Sequence, residues 1–197
     1  MPRKKSAPSS AEYAILGLLS QQPMHGYQIA QELAPDRGLG LICPLGLSNV
    51  YFLLGNLERQ GLIEVDQRQE DVYPPKTVFK MTPAGTQVFE SWIWKPPGRL
   101  RDVRLDFPLK LYFLWHEKVE SIPRLLDDQI EFCKQYLSEW KALVDSAAPH
   151  SFDRLAMQAK VAAAQGTLDW LIEYRRDLRG EGRERDRPAG VRRRRPG

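Results

Sequence analysis

Helical periodicity over most of the chain, one short strand pair near residues 62–81 and a compositional break at 95–100 predict a mainly α-helical protein in two parts. The N-terminal part reads as three helices, a two-stranded wing and a fourth helix. The C-terminal part reads as all-helical. A length of 197 residues suffices for one large domain or two small ones. With 42% hydrophobic and 27% charged residues, the composition is that of a globular chain.

Ser9 and Glu12 have capping-box spacing, and Ile15, Leu16, Leu18 and Leu19 follow, so a first helix is expected over about 10–20. Residues 21–25 contain Pro23 and read as a turn. A short second helix covers 26–33, with Ile29 and Leu33 inward. Three glycines and two prolines make 34–46 a loop. Ser48 can cap the third helix, where Val50, Leu53, Leu54 and Leu57 fall at i, i+3, i+4 and i+7. Gly61 ends it. Residues 62–65 and 77–81 read as the wing strands, and Thr82-Pro83 opens a helix running to about Trp94. This order is the layout of a winged helix-turn-helix. Leu16, Leu19, Leu53 and Leu57 form its core, and the third helix is free to present one face to a groove.

Lys95-Pro96-Pro97-Gly98 breaks the pattern. Beyond it, 109–115 is apolar on nearly every side and predicts a helix buried all round. A long helix follows over about 121–144. In it Leu126, Ile130, Cys133, Leu137, Trp140 and Val144 are spaced 4, 3, 4, 3, 4, an a/d seam. A last helix covers about 152–179. The seam suits either the core of an intrachain hairpin or a dimer. The dimer is favoured, because one short hairpin offers little else to cover both helices. The expected organisation is a basic arm at 1–9, a winged helix at 10–94, a linker at 95–100, a helical dimerisation domain at 101–179 and a disordered basic tail at 180–197.

The net charge of +4 is uneven. Residues 1–10 carry +3 and 179–197 carry +5, whereas 11–94 sum to −4 and 95–178 to zero. Basicity therefore belongs to the ends, where an arm can attract phosphate without folded structure. Composition alone does not make this a DNA-binding protein. No apolar run is long enough to cross a membrane, and the basic N-terminus lacks the apolar stretch of a secretory signal. Cys43 and Cys133 fit no disulfide or zinc pattern and suit a cytoplasmic location.

Four blocks, 13–19 (YAILGLL), 23–29 (PMHGYQI), 48–64 (SNVYFLLGNLERQGLIE) and 74–85 (PPKTVFKMTPAG), make the N-terminal part resemble a PadR-type transcriptional regulator. Residues 100–179 are similar to the helical C-terminal domain of that family's virulence-activator branch, through Leu100-Arg101-Asp102, 109–114 (LKLYFL) and Leu168-Asp169-Trp170-Leu171. The resemblance implies a cytoplasmic homodimer, joined through its C-terminal helices, that binds a palindromic operator in double-stranded DNA, usually as a repressor. It also implies, for some members, a response to phenolic or other aromatic compounds.

By the same resemblance, Ser48 opens the recognition helix, Tyr51 is the tyrosine on its exposed face and Lys76 is a basic wing residue. Serine and tyrosine hydroxyls can position the protein on phosphates, and Asn49 can pair with adenine. Arg68, Lys4 and Lys5 complete the expected DNA-contacting set. Thr77 departs from the pattern where a second basic residue is common, and Asp66, Glu70 and Asp71 surround the wing's cations. For Phe52, burial against the neighbouring domain is the expected role, since a phenyl ring gains little at a phosphate.

Trp92, Trp94, Trp115 and Trp140 are candidate contacts for a planar effector, although tryptophans at helical spacing are more often core. Cys43-Pro44 resembles a dipeptide of haem-responsive proteins, but a loop cysteine before a turn proline is the commoner explanation. No catalytic triad, HExxH, phosphate loop or GxGxxG occurs, so neither enzyme, cofactor nor metal is expected. The leading function is a dimeric DNA-binding repressor relieved by a small effector. The alternative is a protein-interaction winged helix whose weak DNA binding is carried by the tails.

Overall fold

A computed structural model of the chain describes residues 7–69 and 76–180. The elements are α1 (Ser10–Gln21), β1 (Met24–His25), α2 (Gly26–Glu32), α3 (Leu47–Arg59), β2 (Ile63–Gln69), β3 (Lys76–Met81), α4 (Pro83–Ile93), α5 (Leu100–Glu117), a 3-10 turn (Val119–Ser121), α6 (Ile122–Ser146) and α7 (Phe152–Leu178). The fold is mainly α, with a small antiparallel sheet in the order β1-β3-β2. No described helix is long and apolar enough to cross a membrane.

The start of α1 follows its sequence signal. Ser9 Oγ accepts from the Glu12 amide, and Glu12 Oε2 accepts from the Ser9 amide at 2.8 Å. At α4, Thr82 Oγ1 accepts from the Gly85 amide, with Pro83 in the first turn. α3 differs from expectation: it begins at Leu47 behind Gly46, so Ser48 lies inside the first turn rather than capping it. The segment read as a turn at 21–25 contains β1, which pairs Met24 with Phe79 and His25 with Val78. The β2–β3 ladder runs from Ile63↔Met81 to Gln69↔Lys76, with a bulge between Val65 and Gln67.

The chain divides into two compact units, one ending at Leu125 and the next beginning at Leu126. The division does not fall at 95–100, because α5 belongs with the first unit. α5 starts at Leu100 and runs through Pro108. It brings Phe113 against α1, where a Cβ on Gly17 would overlap the phenyl ring. Consequently α1 is buried from Glu12 to Leu19, with nearly no free face. Phe113 also meets Phe89 of α4 edge-on, with centroids 5.6 Å apart. α5 is not buried all round as expected: Trp115 is exposed. Of the four anticipated core leucines, Leu16, Leu19 and Leu57 are buried and Leu53 is half-buried.

One charge lies in this core. Lys110, 1% exposed, donates from Nζ to the Trp92 carbonyl near the end of α4. Its Nζ is 3.9 Å from the centroid of the Trp92 ring, on which Tyr13 stacks at 4.4 Å. Burial pulls the Lys110 pKa down to about 7, and the Asp106 carboxylate partly opposes it.

In the second unit α6 and α7 run antiparallel. Asp127 pairs with Arg175 at 2.9 Å, Lys160 Nζ lies 3.8 Å over the Trp140 ring, and Arg154 donates to the Val144 carbonyl at 2.7 Å near the C-terminus of α6. Leu126, Ile130, Cys133, Leu137 and Val144 are all buried within the single chain, and Trp140 is half-buried. The seam is thus already covered, as the hairpin reading required, and is not free surface for a second copy.

Two predictions follow from these cores. Leu137→Glu places an unpaired charge in the covered seam, at a penalty of several kcal/mol. It should therefore lose helical ellipticity and lower the thermal midpoint, rather than only shift a sedimentation equilibrium. For Lys110, the folded pKa lies below the unfolded value. Between about pH 7 and 10.5 the unfolded chain thus holds a proton that the folded chain lacks. Stability from this group rises with pH across that window and is flat below it. Urea midpoints should show the difference between wild type and Lys110→Met growing more favourable to wild type as pH climbs from 7 to 10. A difference independent of pH would remove the perturbed lysine.

Candidate nucleic-acid interface

The interface is built on α3. Val50, Leu54 and Leu57 are buried and fix its inner side in the first unit. At 3.6 residues per turn, Ser48, Phe52, Gly55 and Arg59 then run along the opposite side. Asn49 and Asn56 flank this line on one edge, Tyr51 and Glu58 on the other. Ser48, Asn49 and Tyr51 are exposed, as expected.

Tyr51 does more than face outward. A Cβ on Gly26 would lie 2.7 Å from its ring, so glycine at the start of α2 lets the two helices close up on that ring. The α2 N-terminus is held by His25, whose Nδ1 accepts from the Gln28 amide at 3.1 Å while Gln28 Oε1 accepts from the His25 amide at 3.1 Å. The connection to α3 is packed rather than loose: Leu39 and Cys43 are buried, and the Leu45 amide donates to the Leu33 carbonyl at 3.0 Å. Burial, with the Asp106 carboxylate adding to it, raises the Cys43 thiol pKa.

Phe52 overturns its expected role. It is 65% exposed and sits mid-face on α3 instead of being buried against another domain. Its spacing from Ser48 and Arg59 was the signal that marks it. Charge around the wing is largely neutralised where it is described. Lys80 pairs with Asp66 at 2.9 Å and with Glu64 at 3.6 Å. Arg59 donates to Asn56 Oδ1. Lys4 and Lys5 lie outside the described residues. Arg68 and Lys76 have their backbones in β2 and β3, but their side chains also lie outside the description.

The candidate effector tryptophans do not share one environment. Trp92 is packed between Tyr13 and Lys110. Trp94 borders a cleft of about 220 Å³ with Phe89, Ile93, Leu114 and Met81, and Ser20, Thr86, Glu90 and Lys118 supply its polar rim. Lys118 Nζ lies 5.1 Å from the Trp94 ring centroid. Trp115 is exposed on α5, and Trp140 belongs to the second unit. The cleft was not legible beforehand, because its lining comes from α1, β3, α4 and α5 together. Among the described residues, no three His, Cys, Asp or Glu side chains converge as a metal set.

Two family models match the chain. One describes a transcriptional regulator PadR-like family and covers residues 15–91; the other describes a virulence activator alpha C-terminal region and covers 103–179. A curated relative, the negative transcriptional regulator PadR of Bacillus subtilis (strain 168), is 28% identical over 145 residues, or 72% of this chain and 79% of that protein. Among solved structures, Bacillus subtilis PadR in complex with operator DNA has 22% identity and a TM-score of 0.43, covering 86% of this chain and 99% of that one. The same protein in complex with p-coumaric acid has 24% identity and a TM-score of 0.40, covering 87% and 99% respectively.

Proposed function

Because residues 15–91 match the PadR-like family of transcriptional regulators, we propose that the chain is a dimeric repressor of that type whose α3 reads a palindromic operator in double-stranded DNA. The observation that carries this reading is the exposed α3 face, held by a buried opposite side and furnished with hydrogen-bonding groups at its N-terminal half. Asn49 pairs with a base edge, while Ser48 and the Tyr51 hydroxyl contact phosphate. Lys76, Arg68, Lys4 and Lys5 add flanking phosphate contacts. That the curated relative is a negative regulator supports repression over activation.

Dimerisation requires a surface other than the covered seam. α7 offers Phe152, Leu155, Ala159, Ala162, Gly166 and Trp170, all exposed and spaced at three- and four-residue steps. Two copies meeting along this stripe would cover Phe152, which is 79% exposed in the single chain. The Trp94 cleft, of mixed polar and apolar lining with Lys118 beside the indole, is the place for a small aromatic effector carrying a polar group.

Selection of bound fragments from random duplex DNA is the deciding experiment. It should return an inverted repeat with half-sites about 10 base pairs apart or a multiple of that spacing. Asn49→Ala should cost about 1–3 kcal/mol and relax one operator position, and Tyr51→Ala should weaken all sequences alike. Removing 180–197 should leave sequence ranking intact while flattening the salt dependence. Sequence-independent binding lost with the tail would instead support a protein-interaction module.

A further inference from the structure

We propose that Phe52 is a specificity residue, its phenyl ring contacting the 5-methyl group of a thymine in each half-site. The inference rests on the DNA-binding reading of α3 and adds what the helix's most exposed large hydrophobic side chain recognises. Phe52 occupies the middle of the outward face, on the line through Ser48 and Arg59, diametrically opposite the buried Leu54–Leu57 side. Among the described residues its ring makes no aromatic or cation contact that would account for its position.

One turn further on, Gly55 leaves the helix surface bare. A Cβ there would meet nothing within 4 Å, and without one the helix can come close to a groove floor beside the ring. A phenyl ring neither donates nor accepts a conventional hydrogen bond. The phosphate backbone therefore gives it nothing, and the polar edges of guanine, adenine or cytosine would lose water against it without replacement. The thymine methyl is the apolar group that the major groove displays. Phe52 thus discriminates in both directions: it covers a methyl on the right base and strips water from a polar group, such as the cytosine amine, on the wrong one.

The test replaces single thymines of the selected operator by deoxyuridine, which removes the methyl and leaves the hydrogen-bonding edge unchanged. At one thymine per half-site, wild type should bind about fourfold more weakly, the worth of one buried methyl group. Phe52→Ala should be folded by circular dichroism, bind the operator more weakly, and be indifferent to uracil at that position. Phe52→Leu should keep part of the discrimination. Wild type indifferent to every such replacement, or Phe52→Ala as sensitive as wild type, would overturn the assignment while leaving α3 as the reading helix. A random pool that yields no enriched sequence would overturn both readings together.

Discussion

The contact between Gly17 and Phe113 is the constraint on which the first unit depends. A helix that starts a winged helix-turn-helix ordinarily has one apolar side to cover. Here α1 is buried from Glu12 to Leu19 because α5 lies on the side that α3 and the sheet leave open. That approach is possible only where α1 has no side chain, and Gly17 is the residue the phenyl ring meets. Phe113 then reaches Phe89 edge-on, tying α4 into the same cluster. From α5 come also Asp106, which accepts from Ser10 at the start of α1, and Lys110, which holds the last turn of α4. The frame that presents α3 is therefore completed by a helix lying beyond the compositional break.

Local signals in the sequence were enough to place most elements. The capping pair Ser9–Glu12, the Thr82-Pro83 helix start and the apolar side of α3 at Val50, Leu54 and Leu57 each depend on residues within one or two turns, and each is found where expected. What escaped was set by distant partners. β1 is two residues long and becomes a strand only because β3 is beside it. Pro108 hid the true length of α5, since a proline within a helical pattern normally ends it. The association of α5 with the winged helix turned on one glycine, whose role cannot be seen until its neighbour is known.

The candidate site was legible to a similar depth. Ser48, Asn49 and Tyr51 are outward, as their position on an amphipathic helix required. Phe52 is exposed where its residue chemistry suggested burial against the neighbouring domain, because its angular position on α3 is opposite the buried Leu54 and Leu57. The seam on α6 shows the converse difficulty. Heptad spacing announces that a stripe will be covered but not by which chain, and the pairings of Asp127 with Arg175 and Trp140 with Lys160 show α7 as the near partner. Where the wing is described, Lys80 is paired with two carboxylates.

The small strand β1 has a mechanical consequence. It is hydrogen-bonded to β3, the inner strand of the sheet, and runs straight into α2 through His25, so one continuous stretch of backbone, 24–32, links the wing's ladder to the first helix of the helix-turn-helix. The Leu45–Leu33 hydrogen bond and the Tyr51–Gly26 contact then lock α3 to α2. The sheet, α2 and α3 are therefore tied in series, each through contacts made by its neighbour, although they are far apart in the sequence.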